Sequence, residues 1–71
     1  EEAESLGREA VELTQRSDDP VGQANALMDL AEILRAAGRG DDATSAASEA
    51  LRLYENKGNL VLAKVAEAFL A

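Results

Sequence analysis

The sequence predicts an all-α fold of four antiparallel helices. Three observations carry that prediction. Apolar residues recur at three- and four-residue steps through four stretches of the chain. Stop-and-start residues separate those stretches: Ser17-Asp18-Asp19-Pro20, Gly38-Arg39-Gly40 and Lys57-Gly58-Asn59. The first part of the chain also reads again, with changes, about 40 residues later. Breaks this short join helices that lie antiparallel to one another.

The first helix is placed at 1–16. Ala3, Leu6, Ala10 and Leu13 line one face, and helix one keeps apolar residues where a missing neighbour would cover them. Glu4 with Arg8, and Glu12 with Arg16, are acid-before-base pairs four apart, each worth about 0.3 kcal/mol on an exposed face. Asp19 is expected to cap the second helix, with Pro20 at its first position, where the missing N–H costs nothing. That helix reaches about Ala37. Its apolar residues Leu27, Leu30, Ala31, Ile33 and Leu34 cover more than one face, as in a helix touched on two sides.

Gly38 is expected to take the left-handed conformation that ends a helix. Asp41 or Asp42 is read as the cap of the third helix, which ends near Asn56 with Ala43, Ala47, Ala50, Leu51 and Tyr54 inward. Lys57-Gly58-Asn59 repeats the stop-and-cap pattern. The fourth helix runs from near Asn59 to the chain end, with an apolar set of Leu62, Val65, Ala66, Phe69 and Leu70, or a neighbouring register.

Composition narrows the range of functions. Seventy-one residues make one small domain, whose core needs good helix packing or a neighbour to complete it. The 46% hydrophobic content is mostly Ala and Leu, which suits close helix contact more than a thick aromatic core. With no Cys there is no disulfide, zinc–thiolate site or thiol nucleophile, and with no His the commonest general base and metal ligand is missing. A net charge of −7 argues against nucleic acid and anionic membrane surfaces as partners. No apolar run approaches the roughly 20 residues that span a bilayer. The opening Glu-Glu-Ala resembles no secretion signal, so the cytoplasm is the expected compartment. The absent initiator Met marks the chain as a piece of a longer protein.

The internal repeat is clearest between the first and third helices. Ala3 falls on Ala43, Ser5 on Ser45, Glu9-Ala10 on Glu49-Ala50 and Leu13 on Leu53. The second and fourth helices match more loosely: Val21 with Val61, Ala26 with Ala66, and Leu30-Ala31 with Leu70-Ala71. This divides the single domain, 1–71, into a half repeat at 1–17, a full repeat at 20–57 and a half repeat at 59–71. The full repeat resembles a tetratricopeptide repeat. Leu27, Leu30, Ala31 and Leu34 stand at the large–apolar–small–large places of its first helix, Gly38 at the turn glycine, and Ala43 and Ala50 at the small places of its second helix. It departs from the family at Ala47, where a large aromatic is usual, and at Glu55, where a closing proline is usual. The period also exceeds the usual 34. That longer period, with the wording of 30–39 and 49–59, is similar to the C-terminal helical region of bacterial adenylate-cyclase-type or transcriptional-regulator-type signalling ATPases. The resemblance implies TPR-like hairpins in a right-handed α-solenoid fragment, and a protein–protein interaction or scaffolding role.

No constellation for catalysis stands out. Asp18-Asp19 and Asp41-Asp42 lack the further oxygen ligands of a calcium loop, and capping accounts for them. The serines and threonines have no His to activate them, and neither Lys57 nor Lys64 sits in a serine–lysine motif. Gly38-Arg39-Gly40 follows a helix and lacks the phosphate-loop frame. No enzyme, cofactor or metal is expected. The resemblance instead implies a groove on the first helix of each repeat, at Asn25, Met28, Asp29, Glu32 and Arg35, continued by Lys64 and Glu67. This mainly acidic surface is either a seat for a basic or amphipathic segment or an ordinary solvated stripe. The Lys- and Asn-rich clamp for peptide carboxylates is not reproduced. Val65, Phe69 and Leu70 are expected to form a face for self-association, as a homodimer or against the rest of a parent chain.

Overall fold

The computed structural model describes residues 2–16 and 18–71. Over these residues the chain forms four helices and no strand: α1 (Glu2–Arg16), α2 (Pro20–Ala36), α3 (Gly40–Asn56) and α4 (Leu60–Leu70). The expected helix start at Glu1, and the share of the first stop assigned to Ser17, lie outside the described residues.

One turn geometry recurs every 20 residues. Asp18, Gly38 and Gly58 hold φ of 54°, 80° and 71°, the left-handed region that glycine enters freely and Asp tolerates. The next residue in each case, Asp19, Arg39 or Asn59, is the N-cap of the following helix. At the two glycine turns the freed carbonyls are taken up in the same way. Gly38 N donates to Arg35 O and Arg39 N to Leu34 O, while Gly58 N donates to Glu55 O and Asn59 N to Tyr54 O. Asp19 and Asn59 both accept from the amide three residues on, Gly22 N at 3.0 Å and Leu62 N at 3.2 Å. The third cap differs from expectation. Arg39 holds it without a side-chain bond, and Asp41 and Asp42 fall in the first turn. The left-handed Gly38 brings the chain directly into α3, so the two carboxylates meet the positive end of the helix as charges and not as caps.

Each helix packs chiefly on the next one in sequence. α2 and α3 therefore each have two main helix partners, and α1 and α4 one main partner each. Alanine dominates the contacts. Ala24 and Ala31 on α2, Ala47 and Ala50 on α3, and Ala66 on α4 retain no exposed surface. Such short side chains let the backbones come close, and the bulk is supplied by Leu27, Leu30, Leu34 and Tyr54. Each fully buried leucine contributes about 1.5–3 kcal/mol. The body measures 33 × 30 × 14 Å.

α1 turns inward a side other than the one its leucines line. Gly7 and Val11 are its buried residues, whereas Leu6 and Leu13 are 57% and 63% exposed. The reason is closeness. A β-carbon at Gly7 would lie 3.0 Å from Leu30 Cδ1 and 3.4 Å from Ile33 Cδ1, so glycine is what lets α1 settle on α2. On α4 the buried pair is Ala63 and Ala66; Leu62, Phe69 and Leu70 pack against the core while half-exposed, and Val65 faces outward.

Candidate functional site

Of the seven residues expected to form a groove, six are exposed and Met28 is not, and two of the six make contacts to other helices. Asn25 accepts a hydrogen bond from the Tyr54 hydroxyl at 2.5 Å, which ties α2 to α3. Met28 is half-buried against the core. Asp29 and Glu32 are exposed, as are Lys64 and Glu67 on α4. Arg35 lies over the Phe69 ring at 3.8 Å from its centre, a cation–π contact that joins α2 to α4. Burial, with Asp29 nearby, pushes the Tyr54 hydroxyl above its ordinary value, because the phenolate would be poorly solvated there.

The residues expected for self-association separate. Val65 is 54% exposed, but Phe69 and Leu70 pack on the core and Phe69 is covered by Arg35. Val65 stands instead with Leu60 and Val61, which are 68% and 75% exposed. Sequence reasoning missed this grouping because nearly every residue of α4 is apolar, so periodicity alone selects no single face. The exposed stripe of α1 was legible in the sequence, as apolar residues on a face that a missing neighbour would cover. These two open faces lie on the two helices that pack chiefly on a single neighbour.

A groove of about 410 Å³ runs between α1 and α3, with α2 beneath it. Leu27, Leu30 and Leu34 line its floor, and Glu12, Gln15 and Glu49 stand along its sides. Glu49 accepts from Arg52, and that guanidinium holds its carboxyl below the usual glutamate range. At one end Glu4 gathers two cations. Arg39 donates to both its carboxylate oxygens at 2.6 Å and Arg8 to Oε2 at 3.1 Å, and the Arg39 bond foremost holds the Glu4 carboxyl low. Arg39 also pairs with Asp42. No ion pair joins Glu12 to Arg16 among the described residues.

Among the described residues no three acidic side chains converge as they would around a metal ion. Among the same residues no helix is long and apolar enough to cross a membrane. The carboxylates whose acidity is displaced, Glu4 and Glu49, are bound to arginines, which favour their ionised form. What the surface offers is helix face: apolar stripes on α1 and α4, bordered by charge. Comparison with family models, with characterised proteins and with solved structures brings out no match for this chain.

Proposed function

We propose that the chain is a protein–protein interaction module, a scaffolding segment of a larger bacterial signalling or regulatory protein in the cytoplasm, with no catalysis of its own. In this reading the helices stack as TPR-like antiparallel hairpins and form a short piece of a right-handed α-solenoid. The recurrence of one turn geometry every 20 residues supports the stacking, as do the alanines where neighbouring helices meet.

The observation that carries the reading is the pair of open faces. Leu6 and Leu13 on α1, and Leu60, Val61 and Val65 on α4, are more than half exposed on helices that pack chiefly on one neighbour each. A repeat unit buries its apolar side only against a neighbour, so such faces are surfaces for a further helix. Asp29 and Glu32, exposed on α2, bias the partner towards a basic or amphipathic one.

The test is a calorimetric titration with two helical peptides, one carrying leucines opposite lysines and the other leucines opposite glutamates. The lysine peptide should bind saturably and more tightly. Leu6→Glu or Val65→Glu should weaken it about tenfold, the loss of one contact of about 1.4 kcal/mol. If neither peptide binds saturably, the interaction reading fails.

A further inference from the structure

The fold contains its own pattern for how an open face is covered. α2 and α4 begin 40 residues apart, at Pro20 and Leu60, and their caps bond in the same manner. Residues 40 apart therefore hold the same angular place on the two helices. α2 meets Gly7 of α1 through Leu30 and Ile33, and meets Tyr54 of α3 through Asn25. The inward residues Ala63, Ala66 and Leu70 of α4 follow Gln23, Ala26 and Leu30 by 40. That is the side of α2 that takes α1. The other side of α4 carries Val61, Lys64, Val65 and Ala68, which follow Val21, Ala24, Asn25 and Met28. On α2 this side is largely covered: Ala24 is fully buried, Val21 and Met28 are half-buried, and Asn25, though exposed, is bonded to Tyr54 of α3. On α4 all four residues are exposed.

α1 and α3 show the matching vacancy. Ala3, Leu6 and Ala10 precede Ala43, Ala46 and Ala50 by 40. All three are exposed on α1, whereas their counterparts on α3 are buried. α4 thus lacks what α3 gives to α2, and α1 lacks what α2 gives to α3. One contact supplies both.

We propose that a second copy of this chain makes that contact, with α4 of one copy receiving α1 of the next as α2 receives α3. The proposal rests on the interaction-module reading and gives it a partner. The charges suit the pairing. Lys64 is the cation on the open side of α4, and Glu9, next to Ala10 at the border of the open side, is exposed on α1. Because the two faces differ, the association is head-to-tail. A pair of copies still has one free face of each kind, so the assembly grows into longer stacks or closes as a ring.

Sedimentation of the chain and of two variants, Leu6→Glu and Val65→Glu, tests this. The unaltered chain should pass beyond the dimer as its concentration rises from micromolar to millimolar. Each variant alone should stay monomeric, with unchanged helical circular dichroism, since both positions are exposed. An equimolar mixture of the two should form a dimer and stop, because each variant keeps the face that the other has lost. Val61→Glu should behave as Val65→Glu does. A monomer at every concentration overturns the proposal, as does a dimer that survives either substitution, or a mixture that stays monomeric. A monomeric chain that still binds the Leu/Lys peptide loses the head-to-tail contact and keeps the interaction reading. A chain that does neither loses both.

Discussion

The Tyr54 hydroxyl donates to Asn25 Oδ1 at 2.5 Å, so the one tyrosine of the chain pins the end of α3 to the start of α2. Tyr54 is 2% exposed and its ring belongs to the core. Tyr54→Phe keeps the ring and removes the bond, at a cost of about 1 kcal/mol. Tyr54→Ala also leaves a cavity and should cost about 3–5 kcal/mol, a large share of the stability of so small a domain. Urea denaturation of both variants checks the two values. The sign of the alkaline effect follows from the raised pKa of Tyr54. Stability is intact below 10, the ordinary tyrosine value, and falls as pH rises through the higher folded value. Phenolate absorbance should therefore appear together with the loss of helical signal, and Tyr54→Phe should remove this loss.

Gly38 and Gly58 adopt positive φ with open space around the place a β-carbon would occupy. Alanine there meets no neighbour but must enter the left-handed region, which costs about 1–2 kcal/mol. Gly40 is similarly open, but it begins α3 without a positive φ. Gly40→Ala should therefore stabilise the fold, by about 0.4–1 kcal/mol through a less flexible unfolded chain. Thermal melts of the three variants should split in sign, with Gly40→Ala alone moving upward.

Much of this architecture can be read from the sequence, for local reasons. Asp19 before Pro20, glycine at 38 and 58, and Asn59 before an apolar run are signals that act within a few residues, and each sits where it was expected. The buried alanines 43, 47 and 50 follow from the helical period. The inward side of α1 does not, because hydrophobic periodicity weighs leucine heavily and glycine hardly at all. Yet Gly7 decides the packing by admitting Leu30. The Asn25–Tyr54 and Arg35–Phe69 contacts depend on how one helix is set against another, which no single-helix pattern contains. Asn25 and Arg35, placed in the groove through the resemblance, also tie α2 to its neighbours.

Gly7 offers a direct check on that closeness. Gly7→Leu should force Leu30, itself 4% exposed, out of place and cost about 1–3 kcal/mol. Gly7→Ala sets a gain of helix propensity of about 1 kcal/mol against a short contact with the end of a leucine side chain. It should fall near neutral. If Gly7→Leu melted like the unaltered protein, α1 would not be seated on α2 in this way.

Acid should loosen the same helix from the other direction. Glu4 binds Arg39 and Arg8, so its folded pKa lies below the ordinary 4.5. A depressed carboxylate contributes stability above its unfolded value, and that contribution is lost as pH falls through the folded one. Glu4→Gln should flatten the acid limb of the stability–pH curve, and added salt should do the same in part, since the pair is reached by solvent. Denaturation midpoints between roughly pH 6 and 3 bracket the window set by ordinary carboxylates.

Arg35 and Phe69 were expected on separate surfaces, one for a partner and one for self-association, and they meet at 3.8 Å. A double-mutant cycle with Arg35→Met and Phe69→Leu isolates their coupling from the apolar packing each also makes. A partly exposed guanidinium over a phenyl ring should give about 0.5–1 kcal/mol. Arg35→Lys should retain part of it, because an ammonium keeps the charge without the flat face. If the coupling is present, charging Phe69 would damage the fold itself, and a dimer lost in such a variant would say nothing about an interface. Val65, which faces outward, is for that reason the informative place to alter on α4.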